Sequence, residues 1–348
     1  MLVCFSVPFI IPSVNSQQVT ITHGQIAYSC NYTDSYTQLD ICVINADGTG
    51  FKQLTNNSTG DLEPSINVEG QIAFVCNYTD KYGFDDKNSE ICVINADGIG
   101  FKQLTNNLTG DLFPSINANS KIAYMCNEFD HHTYSYDEIC VINADGTDFK
   151  QLTNNSTGDL SPSINNNGQI AYICSVNNDS PASDEICVIN ADGIGFKQLT
   201  NNSTGDLSPS INNNGQIAYI CNWVIGLYEW ETCAINADGT GFKQLTFNST
   251  RESLLSINDL GQIGYLCNFG ESSFEYDLCL INFDGTGFRQ LTYDQRVATY
   301  APSINNKGQI VYGCSYSGHN HICVINSDGT GFRQITNNPT NDGHPSIN

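Results

Sequence analysis

Short runs of β-branched and aromatic residues recur along the whole chain, and each ends at Asn-Gly, Asp-Gly or a similar polar pair. The stretch Ile41 to Thr55, I-C-V-I-N-A-D-G-T-G-F-K-Q-L-T, holds two of them. An apolar run leads to Asp47-Gly48 and a shorter one follows, the pattern of a hairpin whose turn needs positive φ. With small changes this stretch occurs seven times, its Asp-Gly falling at Asp47, Asp97, Asp145, Asp192, Asp238, Asp284 and Asp328, with spacings of 50, 48, 47, 46, 46 and 44 residues. The segment before each hairpin supplies two more runs, as in D-L-S-P-S-I-N-N-N-G-Q-I-A-Y-I-C from Asp206 to Cys221. Each unit therefore reads as strand A (Pro-Ser-Ile-Asn), strand B (Gln-Ile-Ala-Tyr), a loop, strand C (Ile-Cys-Val-Ile-Asn) and strand D (Phe-Lys-Gln-Leu-Thr). Four antiparallel strands per repeat, without competing helical periodicity, predict an all-β, seven-bladed β-propeller.

The run Asp-x-x-Pro-Ser-Ile-Asn-x-x-Gly-Gln-Ile-Ala-Tyr, followed by Ile-x-Val-Ile-Asn-Ala-Asp-Gly-Thr-Gly and Gln-Leu-Thr, resembles the repeat of TolB-type β-propellers, relatives of WD-repeat propellers. The resemblance covers roughly residues 18 to 348. It implies a propeller used for binding protein or peptide, though related propellers also gate peptidases or act as lyases. Where that family commonly has Trp-Ser-Pro-Asp-Gly, this chain has Ser-Ile-Asn-x-x-Gly, and two cysteines per blade are a further departure.

The two ends suggest how the ring closes. Residues 1–17 read as a secretory signal peptide, apolar and then small and polar, although Lys and Arg are absent from its start and Pro8 and Pro12 interrupt it. Residues 18–348 then form one propeller domain. The final Pro345-Ser346-Ile347-Asn348 is a strand A with no strand B after it, and the first blade lacks a strand A. Pairing the C-terminal segment into the N-terminal blade leaves no unpaired inner edge. The alternative is that Val19 to Thr22 is the first blade's own inner strand, in a fragment of a longer array.

Charge narrows the partners. Thirteen basic against 36 acidic residues give a net charge of −23, which opposes binding to nucleic acid or anionic membranes. Seven of the basic residues share one position on strand D (Lys52, Lys102, Lys150, Lys197, Lys243, Arg289, Arg333), where a charge discourages edge-to-edge pairing. No segment after the leader is long and apolar enough to span a membrane, and a closed ring is expected to be monomeric.

Fourteen of fifteen cysteines occur as one on strand B and one on strand C of every blade: Cys30 with Cys42, Cys76 with Cys92, Cys126 with Cys140, Cys174 with Cys187, Cys221 with Cys233, Cys267 with Cys279, and Cys314 with Cys323. With Cys30 set opposite Cys42, Tyr28 falls opposite Ile44, and the two cysteines share a face. Cross-strand disulfides, and hence a secreted or periplasmic protein, are expected. The competing reading is fourteen buried thiols. The loops vary too much for a zinc site.

Candidate function lies where blades differ. The A–B and C–D turns emerge on one face and barely change. The B–C and D–A loops emerge on the other and carry Tyr36, Tyr82, Tyr134, Trp223, Tyr228, Trp230, Tyr276 and Tyr316, residue types common on recognition surfaces. A carboxylate recurs before strand A at Asp61, Asp111, Asp159, Asp206, Glu252 and Asp342, with Thr299 at the one uncharged position. Two readings stand: a local turn role, or an acidic ring at the channel mouth that attracts a basic peptide or a calcium ion. Asn-x-Ser/Thr sequons begin at Asn31, Asn57, Asn77, Asn107, Asn155, Asn178, Asn202 and Asn248, all in these loops. Catalytic signatures such as Gly-x-Ser-x-Gly and His-Glu-x-x-His are missing. The six histidines follow no repeat position, and the loop from Asp85 to Glu90 lacks EF-hand spacing. The expectation is an exported, non-catalytic binding module, with a metal-dependent propeller lyase or hydrolase, or a purely structural ring, as alternatives.

Overall fold

The computed structural model describes residues 24–31, 38–78, 88–107, 109–127, 137–175, 184–223, 230–247, 251–268, 276–293, 297, 300–316 and 318–348. They form seven four-stranded antiparallel sheets. The inner strands A are Gly343–Ile347 in blade 1, then Gly60–Ile66, Leu112–Ile116, Asp159–Ile164, Gly205–Ile211, Glu252–Ile257 and Ser303–Ile304 in blades 2 to 7. Gly343–Ile347 pairs with Gln25–Asn31, so the C-terminal strand completes the first blade. The alternative inner strand, Val19 to Thr22, lies outside the described residues. Among the described residues no helix is long and apolar enough to cross a membrane.

Each sheet buries both faces, which is why strands B and C are apolar throughout. Ala27, Ile41 and Val43 of blade 1 pack against Ile72, Phe74 and Ile94 of blade 2. The pattern repeats around the ring until Val311, Ile322 and Val324 of blade 7 meet Ile26, Tyr28 and Ile44 of blade 1. Strand D is only two residues long, as in Lys52–Gln53, and is exposed. A short edge carrying one charge per blade offers little template for adding another strand. The C–D turns bend at glycine: Gly48 has φ 85° and its N–H donates to the Asn45 carbonyl. A side chain at Gly50 (φ 70°) would also meet the Asn45 carboxamide at 2.6 Å.

All seven disulfides are present, with Cα–Cα distances of 5.8 to 5.9 Å. Their register differs from the expected one. Tyr28, not Cys30, lies opposite Cys42, and Cys30 faces Asp40. The same offset recurs in blade 4, where Tyr172 faces Cys187 and Cys174 faces Glu185. A slip of two residues keeps every side chain on its face, so the cysteines still meet, diagonally rather than directly across.

The Ser-Ile-Asn of strand A builds two closed rings of hydrogen bonds around the axis. In the first, the Ile116 N–H donates to Ser65 Oγ at 3.1 Å, and each blade repeats this with its neighbour until the Ile66 N–H reaches Ser346 Oγ at 3.2 Å. In the second, Asn67 Nδ2 donates to the Asn117 carbonyl at 3.0 Å, and so on until Asn348 Nδ2 reaches the Asn67 carbonyl at 3.0 Å. Both rings pass through residues 346–348, so closure of the propeller closes them too.

Candidate binding site in the channel

Upstream of Ser-Ile-Asn the inner strand bulges. In blade 4 Leu160 pairs with Ile173 and Ser163 with Ala171, so strand A holds one extra residue. The extra residue has positive φ in six blades: Glu63 (55°), Phe113 (53°), Ser161 (52°), Ser208 (52°), Leu254 (39°) and His344 (48°). Such a conformation is costly for residues with a Cβ, and the surrounding sheet must impose it. The Pro-Ser-Ile-Asn that follows is kept in six of the seven blades and Asp-Leu precedes the bulge in four, whereas the bulged residue ranges from acid to phenyl to hydroxyl to imidazole. Neighbouring blades meet at two of these bulges. The Phe113 N–H donates to Glu63 Oε2 at 3.3 Å, and the His344 ring lies 4.6 Å from that of Tyr300 in the adjacent blade. Gly343 is needed there, because a Cβ would sit 2.7 Å from the Tyr300 ring.

Burial shapes the chemistry of this throat. Desolvation pushes the Glu63 carboxyl up to about 7, opposed by the single bond from Phe113. Desolvation also pulls His344 down to about 4, leaving it neutral, with Nδ1 buried and unpartnered among the described residues. Phe113 is 42% exposed. This set was missed by the sequence reading, though its signal was there: a position that changes from Glu to Phe, Ser, Leu and His two residues before a Ser-Ile-Asn that every blade keeps.

The recurrent carboxylates do not form an exposed ring. Asp61, Asp111, Asp159, Asp206, Glu252 and Asp342 are all at most 1% exposed. Asp61, Asp111, Asp159 and Asp206 sit between blades, beside Asp40, Glu90, Glu138 and Glu185, the first or second residue of the preceding blade's strand C. Thr105 Oγ1 donates to Glu90 at 2.6 Å, and Thr105 and Asn107 both bond to Asp111. Burial, with repulsion from Glu90, raises Asp111 to about 7. Asp159 and Asp206 rise to about 7, and Asp61 and Asp342 to about 6, burial again leading. Glu252 accepts from the Thr232 and Thr246 hydroxyls at 2.5 and 2.8 Å. The local role is the one the geometry supports.

Four of the sequons serve the same network. Asn57, Asn107, Asn155 and Asn202 donate Nδ2 to Asp61, Asp111, Asp159 and Asp206 at 2.8 to 3.0 Å, while Oδ1 accepts from the threonine two residues on. Asn338, whose Pro339 abolishes the sequon, bonds Asp342 in the same way at 3.1 Å. The motif in these loops is thus an interblade clasp.

Of the aromatic loop residues, Tyr36, Tyr82, Tyr134 and Tyr228 lie outside the described residues, and Trp223 ends strand B of blade 5. Trp230 lies beneath the Arg251 guanidinium, 4.1 Å from its ring centre. Tyr276 is 7% exposed and Tyr316 packs against the same cluster, so these two belong to the core of blades 6 and 7 and not to an open surface. His321 is also buried, and His319 lies opposite Tyr316. Among the described residues no group of three or more His, Cys, Asp or Glu side chains could hold a metal ion.

At the opposite end the channel opens into a cavity of about 750 Å³ between the A–B turns, lined by the Ile and Asn of Ser-Ile-Asn. Its carboxamides are occupied. Asn165 Nδ2 donates to the Asn212 carbonyl and to Gln169, and Oδ1 accepts from the N–H groups of Asn167 and Gln169. Asp259 is likewise bonded by Asn213 and Asn306. This end is held together by its polar groups, with few left to receive a ligand.

No protein-family model and no curated protein matches the sequence. Solved structures do match. The propeller aligns with a puromycin-hydrolysing peptidase of Mycobacterium tuberculosis (TM-score 0.66, 12% identity), covering 89% of this chain and 53% of the peptidase, so it spans about half of that protein's length. It aligns with TolB from Acinetobacter baumannii (TM-score 0.57, 14% identity, 92% of this chain and 82% of TolB). It also aligns with the propeller domain of the Trilobed protease from Pyrococcus furiosus (TM-score 0.65, 11% identity, 90% and 94%), described as having an open velcro topology. The chain has the fold of these proteins: it is a seven-bladed β-propeller, consistent with a TolB-type repeat and closed by its own C-terminal strand.

Proposed function

We propose that the chain is an exported, non-catalytic binding module that takes a protein or peptide segment at the channel end flanked by the B–C and D–A loops. One observation carries this reading: the bulged residue of strand A varies just upstream of a Ser-Ile-Asn that every blade keeps, and two neighbouring bulges, those of Glu63 and Phe113, touch. A throat built from Glu63, Phe113, Ser161, Ser208, Leu254 and His344 presents varied chemistry on rigid strands, as recognition requires. Disulfides in every blade fit an oxidising compartment, and the resemblance of the repeat to TolB-type propellers fits a protein or peptide partner.

The test replaces Glu63, Phe113 and Leu254 together by serine, the residue that blades 4 and 5 already use at this bulge. Wild type and variant are compared for capture of partners from the native extracellular or periplasmic fraction. The variant should keep its urea unfolding midpoint and lose the partner. Unchanged capture by the folded variant would move recognition away from the throat.

A further inference from the structure

Glu63 is surplus to the fold. Ser161 and Ser208 occupy the same bulge with φ 52° in blades 4 and 5, so nothing in the backbone requires a carboxylate in blade 2. Glu63 is nonetheless half-buried and partly desolvated, and among the described residues its one hydrogen bond is the long one from the Phe113 N–H. The blade on its other side offers no counter-charge, because His344 is neutral. Seven of the thirteen basic side chains sit on strand D, at the outer edge of the sheets. The neighbouring bulge holds Phe113, whose ring is 42% exposed on the innermost strand.

We infer that Glu63 and Phe113 form a subsite for one cationic side chain, the ammonium or guanidinium of a lysine or arginine in the bound segment. The inference rests on the binding reading above and names its anchor. A cation at this place gives Glu63 an ion pair that no described residue offers it, in surroundings where the interaction is screened less than at the surface. Phe113, exposed and with its N–H on Glu63, supplies an aromatic side chain whose face can attract the cation as well. The net charge of −23 draws cations towards the molecule. Because empty Glu63 holds its proton up to about pH 7, occupancy drives that proton off, and binding near neutrality releases protons to the buffer.

The probes are acetyl-lysinamide and acetyl-argininamide, with acetyl-norleucinamide as the uncharged analogue. Titration calorimetry at pH 7 in two buffers of different ionisation enthalpy reads affinity and proton release together. Wild type should bind both cations, release protons, and bind the norleucine analogue at least about tenfold more weakly. Glu63→Gln keeps the size of the side chain and should lose about tenfold in cation affinity together with the proton release. Phe113→Leu should weaken binding of the cations while leaving proton release per bound probe intact. Equal affinity for norleucinamide, or a folded Glu63→Gln protein that binds cations as wild type does, overturns the inference. If neither cation binds while partner capture still depends on the bulge residues, the subsite chemistry is wrong and the binding module stands. If the cations bind but capture ignores the bulges, the converse holds.

Discussion

Asp111 shows how a single residue can mislead from sequence and inform from structure. Its recurrence before strand A suggested a ring of charge, yet it lies fully buried beside Glu90 and Thr105. Two carboxyl groups in such a place share protons more readily than they share charge. The consequence for stability follows from the shift. Burial raises Asp111, Asp159 and Asp206 to about 7 in the folded protein, and Asp61 and Asp342 to about 6, from the ordinary aspartate value near 4. Between those limits the folded state binds more protons, so stability is fully present below about pH 4 and is lost as pH rises through 6 to 7. The exposed turn residues Asp145, Asp238, Asp284 and Asp328 are shifted the other way by their threonine partners, and their contribution fades only on further acidification. The urea midpoint should therefore be higher at pH 5 than at pH 8, by on the order of 1 kcal/mol for each buried acid. Changing Asp111, Asp159 and Asp206 to Asn should flatten that slope. A midpoint that instead rises steadily with pH across this range would contradict the arrangement.

At the scale of the element, a blade is two long strands joined by a disulfide, an inner strand bound to its neighbours, and a minimal outer strand. The bridges span 9 to 16 residues, so each restricts the unfolded chain by at most about 3 kcal/mol. Replacing Cys174 and Cys187 together by alanine should cost about that much in urea unfolding, with no change of strand order. The purified wild type should show no alkylatable thiol among the fourteen paired cysteines until it is reduced. The diagonal pairing was not readable from spacing, because direct and diagonal partners both keep the two cysteines on one face. The hairpins themselves were readable, since Asn-Gly and Asp-Gly turns between β-branched runs are local chemistry.

For the whole molecule the decisive contact is Gly343–Ile347 against Gln25–Asn31. Deleting residues 344–348 removes the paired strand, two hydrogen bonds of the serine ring and two of the asparagine ring. Unfolding should then lose cooperativity and begin at the seam between blades 7 and 1, seen as a lower urea slope and early exchange of the Gln25–Asn31 amides. An unchanged slope and midpoint would mean that another segment fills the place.

The sequence by itself determined the strand count, the turn positions, the seven repeats and the closure, because each depends on local periodicity and on counting copies of one unit. It also paired the cysteines correctly, since only one strand B and one strand C belong to each blade. Tertiary structure alone decided which polar repeats are interior. Asp61 and Asn57 look like surface loop residues in one dimension, and only the approach of the next blade buries them. It alone decided that Ser65 and Asn67 join blades that are 50 residues apart in the chain. The throat emerged the same way. A variable residue in a constant motif is visible in the sequence, but only the bulge and the ring bring Glu63, Phe113 and His344 to one place, because contacts between consecutive blades exist only once the ring has closed.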